Sequence, residues 1–225
     1  MIEQRTLDWH RERLGIFTAS KVGDLMASGR KKDEIFGETA KSYIDEVTAE
    51  RLLDPAMVAD DFAFENYLNE TSRETKAMAW GTAYEDMARD KYMEIAGVEV
   101  AEAPSIKHPE MACLSCSPDG MVGTDGLVEI KSPQAKNFLK YCLAIKRGDT
   151  MKDINRGYYW QIMCQLAVTG RKWCDFIVYH PYISPTILTL RVERDDEAIA
   201  AMMERVKLAN EIVEENVKLL TNDEF

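Results

Sequence analysis

The stretch CSPDGMVGTDGLVEIKSP, from Cys116 to Pro133, constrains this chain more than any other. SPDG and GTDG are turn-forming clusters, and the segments beside them are short, apolar and of strand type. They predict strands at Met111–Cys116 and Gly126–Lys131 that form a hairpin or lie as neighbours. Side chains alternate along a strand, so Glu129 and Lys131 share one face, with Leu127 at its edge. Val128 and Ile130 point the other way, where a helix can cover them. The SPDG turn brings Asp119 up to the same strand pair. Two acids and a base could be a salt-bridged surface hairpin. They are also two converging carboxylates, the oxygen ligands that suit Mg²⁺ or Mn²⁺ beside water and phosphate. A lysine on their face can orient or deprotonate a water and balance charge at a phosphate. Together they describe a site for phosphodiester hydrolysis.

The surrounding chain predicts helices near Thr6–Leu14, from about Thr18 or Ser20, over Ala40–Leu53, Lys76–Gly97, Phe138–Ile145, Asp153–Thr169 and Glu197–Leu219. Pro55 is expected to stop the third, and Asp60–Thr75 shows no clear pattern. Further strands are expected at Val98–Ala101, Trp173–Tyr179 and Ile187–Val192. The order indicates an α/β or α+β domain with a mixed sheet. Residues 1–225 read as one domain, with a helical part over about 1–97, a sheet core over about 98–193 and a last helix over about 197–219. With 46% apolar residues the chain can bury a substantial core.

No window approaches roughly 18 uncharged apolar residues, and MIEQRTLDWH is not an apolar signal region, so the protein is expected to be soluble, unexported and cytoplasmic, with no membrane partner. Five cysteines without a second C-x-x-C or paired histidines favour reduced thiols over a zinc or iron–sulfur site. A net charge of −11 argues against nonspecific binding of nucleic acid by bulk field, but it suits a site that gathers divalent cations.

Four blocks carry a resemblance: W-H-x-x-R-x-G-x-x-T-A-S over Trp9–Ser20, A-W-G-x-x-Y-E over Ala79–Glu85, C-S-P-D-G…E-x-K-x-P over Cys116–Pro133, and Q-x-x-x-Q over Gln161–Gln165. In that order they resemble the PD-(D/E)XK nuclease superfamily, and within it the phage lambda exonuclease or YqaJ-type viral recombinase family. The resemblance implies a mixed central β-sheet flanked by helices, and Mg²⁺- or Mn²⁺-dependent 5′→3′ digestion of linear double-stranded DNA to 5′-mononucleotides. It also implies two ions per active site, a ring-shaped homotrimer and a single-strand annealing protein as recombination partner, in a bacterial or phage-infected cell. Other nucleases of the superfamily (RecB-like enzymes or endonucleases) and a non-catalytic DNA-end-binding protein are the alternatives.

The resemblance also assigns roles. Asp119, Glu129 and the carbonyl of Ile130 are the expected metal ligands, and Lys131 the activator of the attacking water. Glu85 is an auxiliary acid near the metals, otherwise a solvated helix residue. Gln161 is expected at the scissile phosphate or a metal-bound water; Gln165 shares its helix face and is equally well an exposed polar partner. Arg13 and Ser20, flanking an expected helix N-terminus, are assigned to a terminal 5′-phosphate, with Ser117 nearby. Met78 and the Arg30–Lys32 cluster are candidates for prying apart and gripping the duplex. His10 has no assigned role.

Overall fold

In the computed structural model, which describes residues 4–29, 34–71 and 75–222, polar caps set most helix starts. Thr6 Oγ1 accepts the N–H of Trp9 and opens α1, Leu7–Arg13. Strand β1, Phe17–Thr18, and the short α2, Val22–Leu25, follow. Helices α3, Glu38–Arg51, α4, Pro55–Ala59, α5, Asp61–Thr71, and α6, Lys76–Ala96, complete the first half. Gly97 stops α6 at φ 65°, a left-handed conformation that glycine adopts without a Cβ clash. Five strands come next: β2, Val100–Ala101; β3, Ile106–Lys107; β4, Leu114–Cys116; β5, Gly120–Val122; and β6, Gly126–Lys131. Then come α7, Ala135–Arg147, α8, Met151–Ile154, α9, Arg156–Thr169, β7, Trp173–Tyr179, β8, Ile187–Glu193, and α10, Asp196–Thr221.

The main sheet is mixed, in the order β2-β5-β6-β7-β8. Strands β6 and β7 run parallel, joined by the crossover through α7, α8 and α9, while the other neighbours are antiparallel. On one face Leu127, Cys174, Phe176 and Val178 join the core formed with α9 and α10. On the other, Val128, Ile130, Ile177 and Tyr179 pack with Ala88 and Tyr92 of α6. Burial on both faces explains why β6 and β7 read as nearly continuous apolar runs. Glu129 lies at the centre of the sheet, on the α9 face.

Several expectations need correction. The partner of β6 is β5, Gly120–Val122, and not the Met111–Cys116 segment. That segment contributes only β4, which belongs to a separate three-stranded sheet, β1-β4-β3. Thr18 is a buried strand residue whose N–H donates to Tyr43 Oη, and α2 starts later, behind Lys21, with no side-chain cap bond. Neither Thr18 nor Ser20 is therefore an N-cap. The third expected helix does end before Pro55, at Arg51, but Pro55 also heads a new helix at its first turn, capped by Asp54, because a missing N–H costs nothing there. Residues Asp61–Thr71 are helical, anchored by the buried Phe64. The predicted Asp153–Thr169 helix is two helices, divided at Asn155, which caps the second by accepting from Tyr158 N–H.

Candidate active site

The β5–β6 hairpin positions both acids. Gly120 pairs with Val128, so the register carried one residue further sets Asp119 opposite Glu129. Opposed residues of an antiparallel pair share a face. Asp119 Oδ2 also accepts the N–H of Ile130 at 2.6 Å, which fixes the carboxylate at the strand end. Burial and the neighbouring charge of Glu129 push the Asp119 carboxyl well above the usual carboxylate range, against a lowering pull from Lys131. Two acids that crowd each other in this way gain from a cation between them.

Glu129 is fully buried, and every partner is a donor. Gln161 Nε2 reaches Oε1 at 2.7 Å and Gln165 Nε2 reaches Oε2 at 2.6 Å, both from α9. The Lys131 ammonium also pairs with Oε1, and it lies 5.1 Å from the centre of the Tyr158 ring. Burial alone would lower the Lys131 pKa; the charges of Glu129 and Asp119 outweigh it and hold the ammonium protonated. In this arrangement Lys131 supplies charge and orientation.

A cleft opens over this group, lined by Met78, Gly81 and Glu85 of α6, by Asp119, Ile130 and Lys131, and by Asn137, Tyr141 and Tyr158. Glu85 is largely covered and receives two arginines: Arg5 Nη2 at 2.5 Å from Oε2 and Arg89 Nη2 at 3.2 Å from Oε1. Its charge is close enough to contribute to the Asp119 shift. Met78 stands exposed on the cleft wall. Gln161 is not among the cleft-lining residues, and its amide is committed to Glu129 instead of an open phosphate position.

The residues expected around a terminal phosphate are only partly brought together. Arg13 lies 4.1 Å above the Trp9 ring, and its Nη1 is 3.3 Å from Ser117 Oγ, which also accepts Trp9 Nε1–H at 3.1 Å. Burial lowers the Arg13 pKa. Arg13 lines a second pocket with His10, Thr18, Lys21, Tyr43, Glu46 and Glu50, in which two acids face the cations. Ser20 is exposed, 3.3 Å from Thr18 Oγ1, and does not line this pocket. The helix terminus expected to supply free N–H groups is absent, since α2 is a four-residue turn beginning beyond Ser20. Arg30, with Lys31 and Lys32, lies outside the described residues.

Among the described residues, no group of three His, Cys, Asp or Glu side chains is arranged to hold a metal ion. The resemblance assigns the ion to two carboxylates, Asp119 and Glu129, with the Ile130 carbonyl. That set fits Mg²⁺, which keeps several waters and takes one or two protein carboxylates. Cys113 and Cys116 are free thiols, and burial, the larger cause, pushes the Cys116 thiol up to about 12.

A profile of the YqaJ-like viral recombinase domain matches residues 8–172. The chain belongs to this family. The fold agrees: the crystal structure of an alkaline exonuclease, LHK-Exo, from Laribacter hongkongensis is 31% identical, superposes with a TM-score of 0.77 and covers 96% of each chain. The same exonuclease in complex with dAMP gives a TM-score of 0.76 at 31% identity and 96% coverage of each chain. A phage-related exonuclease from Haemophilus somnus 129PT is 15% identical, with a TM-score of 0.67 over 91% of this chain and 96% of that one, and speaks for the fold alone. No curated protein matches the chain. Membership of the YqaJ-like family makes the protein a nuclease of phage-type recombination, and no described helix is long and apolar enough to cross a membrane.

The sequence reading missed two contributors and left a third open. Gln165, by its spacing equally well an exposed polar partner, is fully buried and donates to Glu129. Tyr158 carried no signal, because an aromatic residue in an apolar helix reads as core. Arg5 lies before the matched domain, in a segment without periodicity.

Proposed function

We propose that the protein is a divalent-metal-dependent exonuclease that digests one strand of linear double-stranded DNA from its 5′ end, releasing 5′-mononucleotides. One observation carries this reading: Asp119, Glu129 and Lys131 converge at the end of one hairpin, beneath an open cleft. Asp119, Glu129 and the Ile130 carbonyl would hold Mg²⁺, or Mn²⁺, and two ions per site belong to the proposal. Bound there, a divalent cation would polarise a phosphoryl oxygen and make its water more acidic. Gln161 and Gln165 hold the Glu129 carboxylate in one orientation. Lys131 places a fixed positive charge where a phosphate would gain negative charge. Glu85, fixed by Arg89, adds a further acid to the cleft wall.

In the reaction, water adds to phosphorus and the P–O3′ bond breaks. The departing nucleotide keeps its 5′-phosphate, and the shortened strand begins with a new one. That the 31%-identical exonuclease has been crystallised with dAMP, a 5′-mononucleotide, supports this product assignment. Selection of a 5′ end would draw on Arg13 and Ser117. Met78 would meet the separating base pairs at the cleft wall. A homotrimeric ring, a single-strand annealing partner and a cytoplasmic setting complete the proposal by family resemblance.

The test is digestion of matched linear and closed-circular duplexes with Mg²⁺ or EDTA, with the linear substrate labelled at either 5′ or 3′ ends. Early release of 5′-labelled mononucleotides from linear DNA alone, abolished by EDTA, is the expected result. Cutting of circles, or early release of the 3′ label, would replace this reading with an endonuclease or the opposite polarity.

A further inference from the structure

We propose that Arg5 is a phosphodiester-binding residue of the nuclease cleft, delivered by a strap that precedes the family-matched domain. The inference rests on the nuclease-site reading above and adds a substrate contact to it. Four observations support it.

First, the strap is anchored on both sides of Arg5. Gln4 Nε2 donates to the carbonyls of Ala103 at 3.0 Å and Pro118 at 3.2 Å, the second being the residue before Asp119. Thr6 is fixed on the other side as the cap of α1. Second, Arg5 itself has φ 69°, the left-handed region that residues with a Cβ rarely occupy. Such a conformation persists where the surroundings impose it, and here two pinned neighbours do so.

Third, the conformation sends the guanidinium into the cleft that Glu85, Asp119 and Lys131 line. Its Nη2 rests on Glu85 Oε2 with half the side chain exposed. Fourth, the cations around this cleft are already divided. The Lys131 ammonium is engaged by buried Glu129, and Arg89 is mostly covered and held by Glu85 and Asp86. Of these three cations paired with the site's acids, Arg5 is the most exposed, and Glu85 keeps Arg89 if Arg5 swings away. A planar guanidinium then presents paired donors to the non-bridging oxygens of an entering phosphodiester.

The experiment compares wild type, Arg5→Ala and Arg5→Lys in two assays: binding of a fluorescent linear duplex in EDTA, and initial digestion rates against duplex concentration with Mg²⁺. Thermal melts accompany both, and an exposed residue predicts unchanged unfolding. The expected result is duplex affinity lowered on the order of tenfold in Arg5→Ala with KM raised to match, and an intermediate loss in Arg5→Lys, which keeps the charge without the fork. Unchanged affinity and KM in a folded Arg5→Ala protein would show Arg5 to be only a partner of Glu85. A variant that digests faster would make Arg5 a restraint on Glu85, which equally overturns the proposal. If wild type itself digests no linear duplex, the nuclease-site reading fails first. The EDTA binding assay still judges Arg5 separately.

Discussion

Gln165 donates from Nε2 to Oε2 of Glu129 at 2.6 Å, both side chains fully withdrawn from solvent. Gln161, one turn earlier on α9, takes the other oxygen. A buried carboxylate is costly unless its oxygens find donors, and these two amides meet that need while fixing the plane of the group.

Gln165→Met therefore makes a sharp test, because it keeps volume and removes the donor. Leaving a buried acceptor unpaired costs about 1–3 kcal/mol, so the melting temperature should fall by several degrees. Loosening Glu129 should also slow digestion on the order of tenfold or more. Wild-type rates in a folded Gln165→Met protein would mean that the orientation of Glu129 does not limit the chemistry.

Lys131 gives a second prediction. Its ammonium sits between Glu129 and the Tyr158 ring. Lys131→Ala should lose most turnover while duplex ends still bind, as separate rate and binding measurements would show. Lys131→Arg should recover little, since a flat, wider guanidinium does not match a position built around a compact ammonium. A fully active arginine variant would reduce Lys131 to a general positive charge.

The site was more legible in the sequence than its surroundings, for a physical reason. Asp119, Glu129 and Lys131 are polar residues in an apolar context, and strand alternation alone puts Glu129 and Lys131 on one face. Gly97 and the long periodic run before it likewise announce the end of α6. The strands β1, β3 and β5 were invisible because two or three residues carry no periodicity; their pairing is a tertiary event. The supposed cap at Thr18 or Ser20 failed for a related reason. The N–H groups of Phe17 and Ala19 donate to the carbonyls of Cys113 and Ser115, residues remote in sequence, and so draw Thr18 into a strand beside β4. Gln165 was ambiguous because spacing shows that two residues share a helix face and leaves open whether that face is wet.

The terminal-phosphate assignment now rests on Arg13 and Ser117, without help from a helix terminus. Initial rates on matched linear duplexes with 5′-phosphate or 5′-hydroxyl ends should differ on the order of tenfold or more for wild type, the range of a charge-assisted bond. Arg13→Ala should lose that preference with little further loss on the hydroxyl substrate. Equal wild-type rates on both ends would remove the pocket from the account.

Asp195 tests the frame that carries α9 and α10. Its carboxylate caps α10 through the N–H of Ala198 at 3.0 Å and accepts Tyr159 Oη–H at 2.8 Å. These bonds, the backbone one foremost, hold its pKa below the ordinary value. A depressed carboxylate stabilises above its unfolded pKa and loses that contribution as pH falls through the folded one. Asp195→Ala should thus cost about 1 kcal/mol at pH 7, the usual worth of a cap. The difference in melting temperature from wild type should shrink below roughly pH 4, where the aspartate protonates. A difference constant down to low pH would assign the effect to packing instead.

The central claim is that Asp119 and Glu129 together hold the ion that hydrolysis needs, and Asp119→Asn addresses it most directly. The substitution keeps shape and an oxygen for the Ile130 N–H while removing one of two crowded charges, so the metal-free protein should melt no lower than wild type. Titrating Mg²⁺ calorimetrically into both proteins, and following mononucleotide release from linear duplex in the same solutions, gives the comparison. The account predicts saturable binding and digestion by wild type, with both lost in a stable Asp119→Asn protein. Saturable Mg²⁺ binding and digestion retained in that variant would contradict it.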